Sequence, residues 1–390
     1  MPATSFKTLD ADFATIRKLT TALEDYADLL AGTTSVDGLE ARVVSTALES
    51  IDPDFDIKEG SQITLRAIKE GIVKGTKAAI ELIKRLWEIM HSYYVKFTGS
   101  IRQVRRKQLV ISRQLARLGS KNTNERLIIS GIQRLSVNGK FVGMDTEALD
   151  NVRDVTRYIL NTYPKSVVKL ARDTSRGFLN ALDRTDENTT VRGITEECIG
   201  IYLDKLETNF ISPPGDTAVA ANEGPESKSG LSRSVVLPDN IAFVYIDPDK
   251  VRANMSNFSS VDKLVNESLT MQFTTLQLNL ADRSEREIEV PSISDLNELL
   301  NTISQILTLS EKAEAGRRDF ESVRGVVNDA IRQISESDSK VTLKVLFLLG
   351  EISKKLAEPM GFYTHWLAIT LNVWLTFIGH CVKHYEEKGF

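Results

Sequence analysis

The sequence predicts a mainly α-helical protein: a long amphipathic basic helix and a C-terminal helical bundle, with a small β insertion after a flexible linker. Three observations carry this. Leu65, Ile68, Ile72, Thr76, Ala79, Ile83, Leu86, Met90, Tyr94 and Phe97 recur in steps of three and four, the period of one helix face. The same period returns near the C-terminus in Leu296, Leu299, Ile303 and Ile306, and again in Phe320, Val323, Val327, Ile331 and Ile334. Strand-like patterning is confined to a short stretch after a segment rich in Pro, Gly and Ser.

Taken in order, residues 1–49 form an acidic N-terminal segment that reads as one or two short helices broken near Gly32. It gives way at Ile51-Asp52-Pro53-Asp54, because proline disfavours helix in the residue before it. Residues 50–211 form a helical region. Its basic helix runs from Leu65 as one piece, or as two joined near Gly71 and Gly75, and stops at Gly119-Ser120. After a turn at Asn138-Gly139, helical spacing resumes with Leu149, Val152, Val155 and Ile159, then with Ile194, Cys198, Ile201, Tyr202 and Leu206. Residues 212–234 almost lack large apolar side chains and read as a linker or long loop. Residues 235–292 hold the β element, with Ile241–Ile246 as one strand and the alternating run from Met271 to Leu280 as its partner. Residues 293–390 form the bundle, its first helix opened by Asp295 and Glu298 in capping-box style. Pro359 and Gly361 are expected to separate two last helices, Val341 to Leu356 and Phe362 to Tyr385.

The composition is that of an ordinary soluble chain: 390 residues, 42% hydrophobic and 26% charged, enough for a sizeable core. The two cysteines, Cys198 and Cys381, are too few and too far apart for a disulfide framework or a CxxC unit, so both read as buried thiols. The N-terminus lacks the charged and apolar regions of a signal peptide. Trp366 to Val382 is seventeen residues without a charge, short for a membrane span and interrupted by Thr370, Asn372, Thr376 and His380; a buried helix fits better.

No catalytic residue, cofactor site or metal site is assigned. His380 and His384 share a helix face at metal-ligand spacing, but no carboxylate completes the set, and a cation in a last helical turn suits the helix dipole. Gly71-Ile72-Val73-Lys74-Gly75-Thr76-Lys77 departs from a phosphate loop in glycine spacing and in the order of Lys and Thr. Asp52-Pro53-Asp54-Phe55-Asp56 resembles a calcium loop, but Ile57 stands where the sharp turn needs glycine.

The informative feature is charge. Residues 61–120 carry thirteen Lys and Arg against three acids, and residues 1–60 carry twelve acids against five bases, in a chain of net charge −4. The basic helix has three readings: a solvated face, a sequence-indifferent contact with DNA phosphates, or a membrane surface with Trp87, Tyr93, Tyr94 and Phe97 as anchors. For DNA, the densest cluster is Arg102, Arg105, Arg106 and Lys107.

The succession of the acidic segment, EGIVKGTKAAIELIKRLWEIMHSYYVKFTGSIRQVRRKQLVISRQL, SRSVVLPDNIAFVYID and EISKKLAEPMGFYTHWLAITLNVWLTFIGHCVKHYEE resembles internal head proteins of large tailed bacteriophages. The resemblance implies a non-enzymatic virion protein packed inside the capsid, assembled in the host cytoplasm with other head proteins, and open to ejection with the DNA. It also implies a partner protease cutting after a small residue, any residue and Glu. Ala47-Leu48-Glu49 before Ser50 matches that pattern, as do Ala22-Leu23-Glu24 and Gly38-Leu39-Glu40. A cut after Glu49 would remove eight acids and four bases, a net −4, from beside the basic helix. The alternative is a membrane-active or host-targeting effector delivered with the genome, using the Trp87 helix and the Trp366–Val382 segment.

Overall fold

A computed structural model describes residues 65–119, 125–186, 188–219, 230–259, 261–279, 285–312, 314–336 and 341–388. The acidic segment 1–49, the Ala47–Ser50 site and the Asp52–Asp56 run lie outside these residues. Two long helices form the frame. Helix α1, Leu65–Leu118, runs unbroken through Gly71 and Gly75, so the seven-residue run that begins at Gly71 is helical backbone. At about 1.5 Å per residue it is about 80 Å long. Helix α9, Thr342–Glu387, lies beside it in the same direction: Lys107 bonds Asn372 and Thr376, and Gln114 bonds Glu386 farther along both helices. Of the apolar stripe read from the sequence, Ile83, Leu86 and Phe97 are buried, and the structure extends the buried face through Ile101, Val104, Ile111 and Leu115.

The expected break at Pro359 does not occur; α9 continues through it. Proline removes one intrahelical hydrogen bond and loosens the preceding turn. Here the buried Tyr163 hydroxyl donates to the Leu356 carbonyl at 2.8 Å in that turn, and Pro359, Met360 and Gly361 are themselves buried. Packing therefore outweighs the local preference. Tyr163 begins helix α3, Tyr163–Asp183, which continues helix α2, Thr146–Arg157, through one π turn at Tyr158–Thr162. Pro164, which has no amide hydrogen to donate, sits in the first turn of α3. Helix α4, Val191–Asn209, returns against α3, and a Cβ on Gly177 would lie 2.4 Å from Ile201 Cγ2.

The β insertion is a four-stranded antiparallel sheet of β4 (Thr217–Ala218), β5 (Leu231–Arg233), β6 (Ile241–Ile246) and β7 (Met271–Thr275), in that order. The expected pairing of Ile241–Ile246 with the run from Met271 is present, Phe243 opposite Phe273. Every residue of β6 is buried, and Phe243 meets Tyr158, Tyr163 and Phe273 in one aromatic cluster. The sheet thus shares the helical core. The linker expected at 212–234 differs at both ends: Thr217–Ala218 and Leu231–Arg233 are strands, and Tyr158 Oη–H donates to the Ile211 carbonyl at 2.8 Å just before it. Short helices α5 (Pro248–Asn254) and α6 (Val261–Ser268) connect β6 to β7.

A second ribbon has no counterpart in the sequence reading. Strand β1, Arg126–Ser130, pairs antiparallel with β8, Glu285–Glu289. The turn at Asn138-Gly139 closes a hairpin of β2 (Ser136–Val137) and β3 (Lys140–Phe141), with φ of 49° and 77° at its two central residues, the left-handed pair such a tight hairpin requires. Helix α7, Ile293–Glu311, starts one turn earlier than expected: Ser292 caps it and Asp295 closes the box, each side chain accepting the other's backbone N–H at 3.1 and 3.2 Å. Ile293 and Leu296 are buried, which fixes that start. Helix α8, Glu314–Ser335, follows and packs on α3.

The C-terminal end of α9 is tied to β1 through Glu125, which accepts from His384 Nε2 at 2.8 Å and from Lys388 Nζ at 3.2 Å. The hydrogen bond from Lys388, with a smaller one from His384, holds the Glu125 carboxyl below its usual range. A depressed carboxylate stabilises the fold above the unfolded value, about 4.3, and loses that contribution as pH falls through the folded value. Glu125→Gln should therefore flatten the acid side of the thermal stability curve below about pH 5 relative to the parent protein; parallel curves would contradict this tie.

Candidate nucleic-acid interface

The cluster Arg102, Arg105, Arg106 and Lys107 is contiguous in sequence and divided in space. A helix advances about 100° per residue, so Arg105 lies about 60° to one side of Arg102 and Lys107 about 140° to the other. Arg105 turns toward α7. Its Nε and Nη2 donate to the two Glu311 carboxylate oxygens at 3.0 Å each, Nη1 donates to Ser304 Oγ at 2.9 Å, and Nη2 also reaches Thr308 Oγ1 at 2.9 Å. The side chain is only 18% exposed, and its bidentate grip holds the Glu311 carboxyl below the ordinary range. Lys107 turns toward α9, donating to Asn372 Oδ1 at 2.9 Å and Thr376 Oγ1 at 2.7 Å, with its pKa pulled down by burial. These two cations clamp α1 to its neighbours.

Arg102 and Arg106 face outward, and the structure joins two residues to them that sequence adjacency had hidden. Arg113 and Arg117 follow at steps of seven and four, so all four guanidinium groups fall within about 60° of one another. All four are exposed, and none has a hydrogen-bond or ion-pair partner among the described residues. From Arg102 to Arg117 the stripe is about 22 Å long. Several other surface arginines are locally neutralised: Arg153 by Asp150, Arg192 by Glu196, Arg252 by Asp204, Glu207 and Asp249. An uncompensated arginine row is suited to phosphate, whose oxygens match the planar fork of the guanidinium. The signal was present in the sequence as a 4-7-4 spacing, visible only when the cations are projected onto the helix.

Other candidate chemistry is accounted for by the fold. On another face of α1, a groove of about 700 Å³ between α1 and α9 is lined in part by Tyr93, Lys96, Ser100, His365 and Ile369, with no carboxylate in its wall. His384 serves Glu125 and His380 is exposed; no group of three metal-binding side chains occurs among the described residues. Cys198 and Cys381 are free and buried, and burial raises both thiols, Cys381 to about 12. Helix α9 is long and apolar enough to cross a membrane by length and composition, yet Leu371, Trp374, Leu375, Phe377, Ile378 and Val382 are covered by protein. Of the expected membrane anchors, Phe97 is buried in the core and Tyr93 half-buried; the side chains of Trp87 and Tyr94 lie outside the described set.

Comparison with curated proteins and with solved structures returned no match. A family model, phiKZ-like phage internal head proteins, matches residues 6–380, a span that includes the basic helix, the β insertion and nearly all of α9. That family is one of structural components of the phage head interior. The chain belongs to the phiKZ-like phage internal head proteins.

Proposed function

We propose that this protein is a non-enzymatic packing component of the head that lays the outer face of α1 along the phosphate backbone of the genome. The observation that carries the reading is the row Arg102, Arg106, Arg113 and Arg117, exposed and without acidic partners among the described residues. Duplex DNA carries a negative charge about every 1.7 Å of its axis, so a stripe about 22 Å long has phosphates within reach of every guanidinium. Contact of this kind is indifferent to sequence, which agrees with the absence of a base-reading motif. Binding of a short duplex should weaken with salt along a log–log slope of about −3.6, that is, about −0.9 for each of four phosphates; a slope near zero would contradict phosphate contact.

The same reading includes maturation. Cleavage after Glu49 removes a net −4 carried by residues 1–49 and leaves the arginine row in a less acidic chain. Intact mass and terminal peptide mapping of the protein from purified heads should show a start at Ser50. A chain that begins at Met1 or Pro2 in mature heads would overturn the processing step and leave the DNA contact standing on its own evidence.

A further inference from the structure

A second cationic row lies on a different helix. In α3, Lys165, Lys169, Arg172 and Arg176 follow one another at steps of four, three and four, which places them within about 60° of one another on the helix. All four are exposed, and none has a hydrogen-bond or ion-pair partner among the described residues. The row is about 16 Å long. The opposite face of α3 is the buried one, with Val167, Leu170, Ala171, Thr174 and Phe178 in the core, so the row is the helix's free face.

The two rows lie on helices with different chief packing partners. α1 packs chiefly on α9 and α7, whereas α3 packs chiefly on α8 and α4, and it is α8 and α9 that touch both. We propose that the α3 row is a second, independent phosphate-binding face, and that one copy of the protein bridges two neighbouring duplex segments. Charge complementarity selects the occupant: four uncompensated cations in a line suit a regularly charged polyanion, and in a head-interior protein the neighbouring polyanion is the genome. The α1 row is the tighter face, since it is longer and all arginine, while half of the α3 row is lysine.

The inference rests on the proposed function for the identity of the polyanion but not for its own site, and the experiment separates the two. A short biotinylated duplex is held on beads, the full chain is added, and capture of a second, fluorescent duplex is read. The parent protein should capture it. The variant Lys165→Ala, Lys169→Ala, Arg172→Ala and Arg176→Ala should bind the bead duplex within about threefold of the parent, because the α1 row is intact, yet capture the second duplex at least about tenfold less. Undiminished capture by that variant, or no capture by the parent, would overturn bridging. A parallel variant with the four α1 arginines changed to alanine tests the α1 reading: if it binds the bead duplex as tightly as the parent, that reading fails, and the α3 face is judged from the first variant alone.

Discussion

A protein in which Arg102, Arg106, Arg113 and Arg117 are all alanine is expected to fold as the parent does and to bind a short duplex at least about tenfold more weakly at about 0.1 M salt. The fold should be unaffected because all four side chains end in solvent and hold no partner among the described residues. Surface changes of this kind stay within about 0.5 kcal/mol each. Arg105→Ala gives the opposite pattern. It removes a mostly buried guanidinium that bonds Ser304, Thr308 and Glu311, so it should cost about 1.5–3 kcal/mol of stability while leaving the salt dependence of DNA binding close to that of the parent. Urea unfolding and anisotropy titrations over a range of salt read the two properties separately. If Arg105→Ala weakens DNA binding as much as the fourfold change does, the division of the cluster into clamp and contact is wrong.

Trp374→Ala is expected to be the most damaging single change in the frame. Trp374 is fully buried in α9, and its indole Nε1–H donates to the Gly143 carbonyl at 3.1 Å, tying the long helix to the loop before α2. Truncation of a buried tryptophan to alanine costs about 3–5 kcal/mol through lost burial and the cavity left behind. Trp374→Phe keeps most of the ring contact but leaves the Gly143 carbonyl without its donor, for about 1–3 kcal/mol. Unfolding midpoints should fall in the order parent, Phe, Ala. An alanine variant within about 1 kcal/mol of the parent would mean that this joint does not hold α9 in place.

The helices were legible in the sequence because their apolar period is long and regular: of the residues predicted to line α1, Ile83, Leu86 and Phe97 are buried in the core. Pro359 misled because the local rule holds for an isolated helix, and only the tertiary structure brings the Tyr163 hydroxyl to the Leu356 carbonyl. The β1–β8 ribbon was invisible for a different reason. Arg126 opposes Glu289 from the far end of the chain, and β8, which reads Glu-Arg-Glu-Ile-Glu, has a single apolar residue to show an alternation. The candidate site was half legible. Sequence proximity grouped Arg102 and Arg106, which face outward, with Arg105 and Lys107, which the helical rotation turns toward α7 and α9. It also passed over Arg113 and Arg117, and the α3 row entirely, because cations four and seven residues apart look dilute along a sequence and dense along a helix.

Contact between the outer face of α1 and packaged DNA should be visible in intact heads. Leu109 and Val110, 46% and 55% exposed, sit beside the arginine row and can report on that face without carrying charge themselves. Hydroxyl-radical labelling of intact heads, read by mass spectrometry before and after release of the genome, tests the claim most directly. Leu109 and Val110 should be protected in filled heads and become reactive once the DNA has left, while exposed Met144, in the loop before α2, changes little. Equal labelling of Leu109 and Val110 in filled and emptied heads would contradict it.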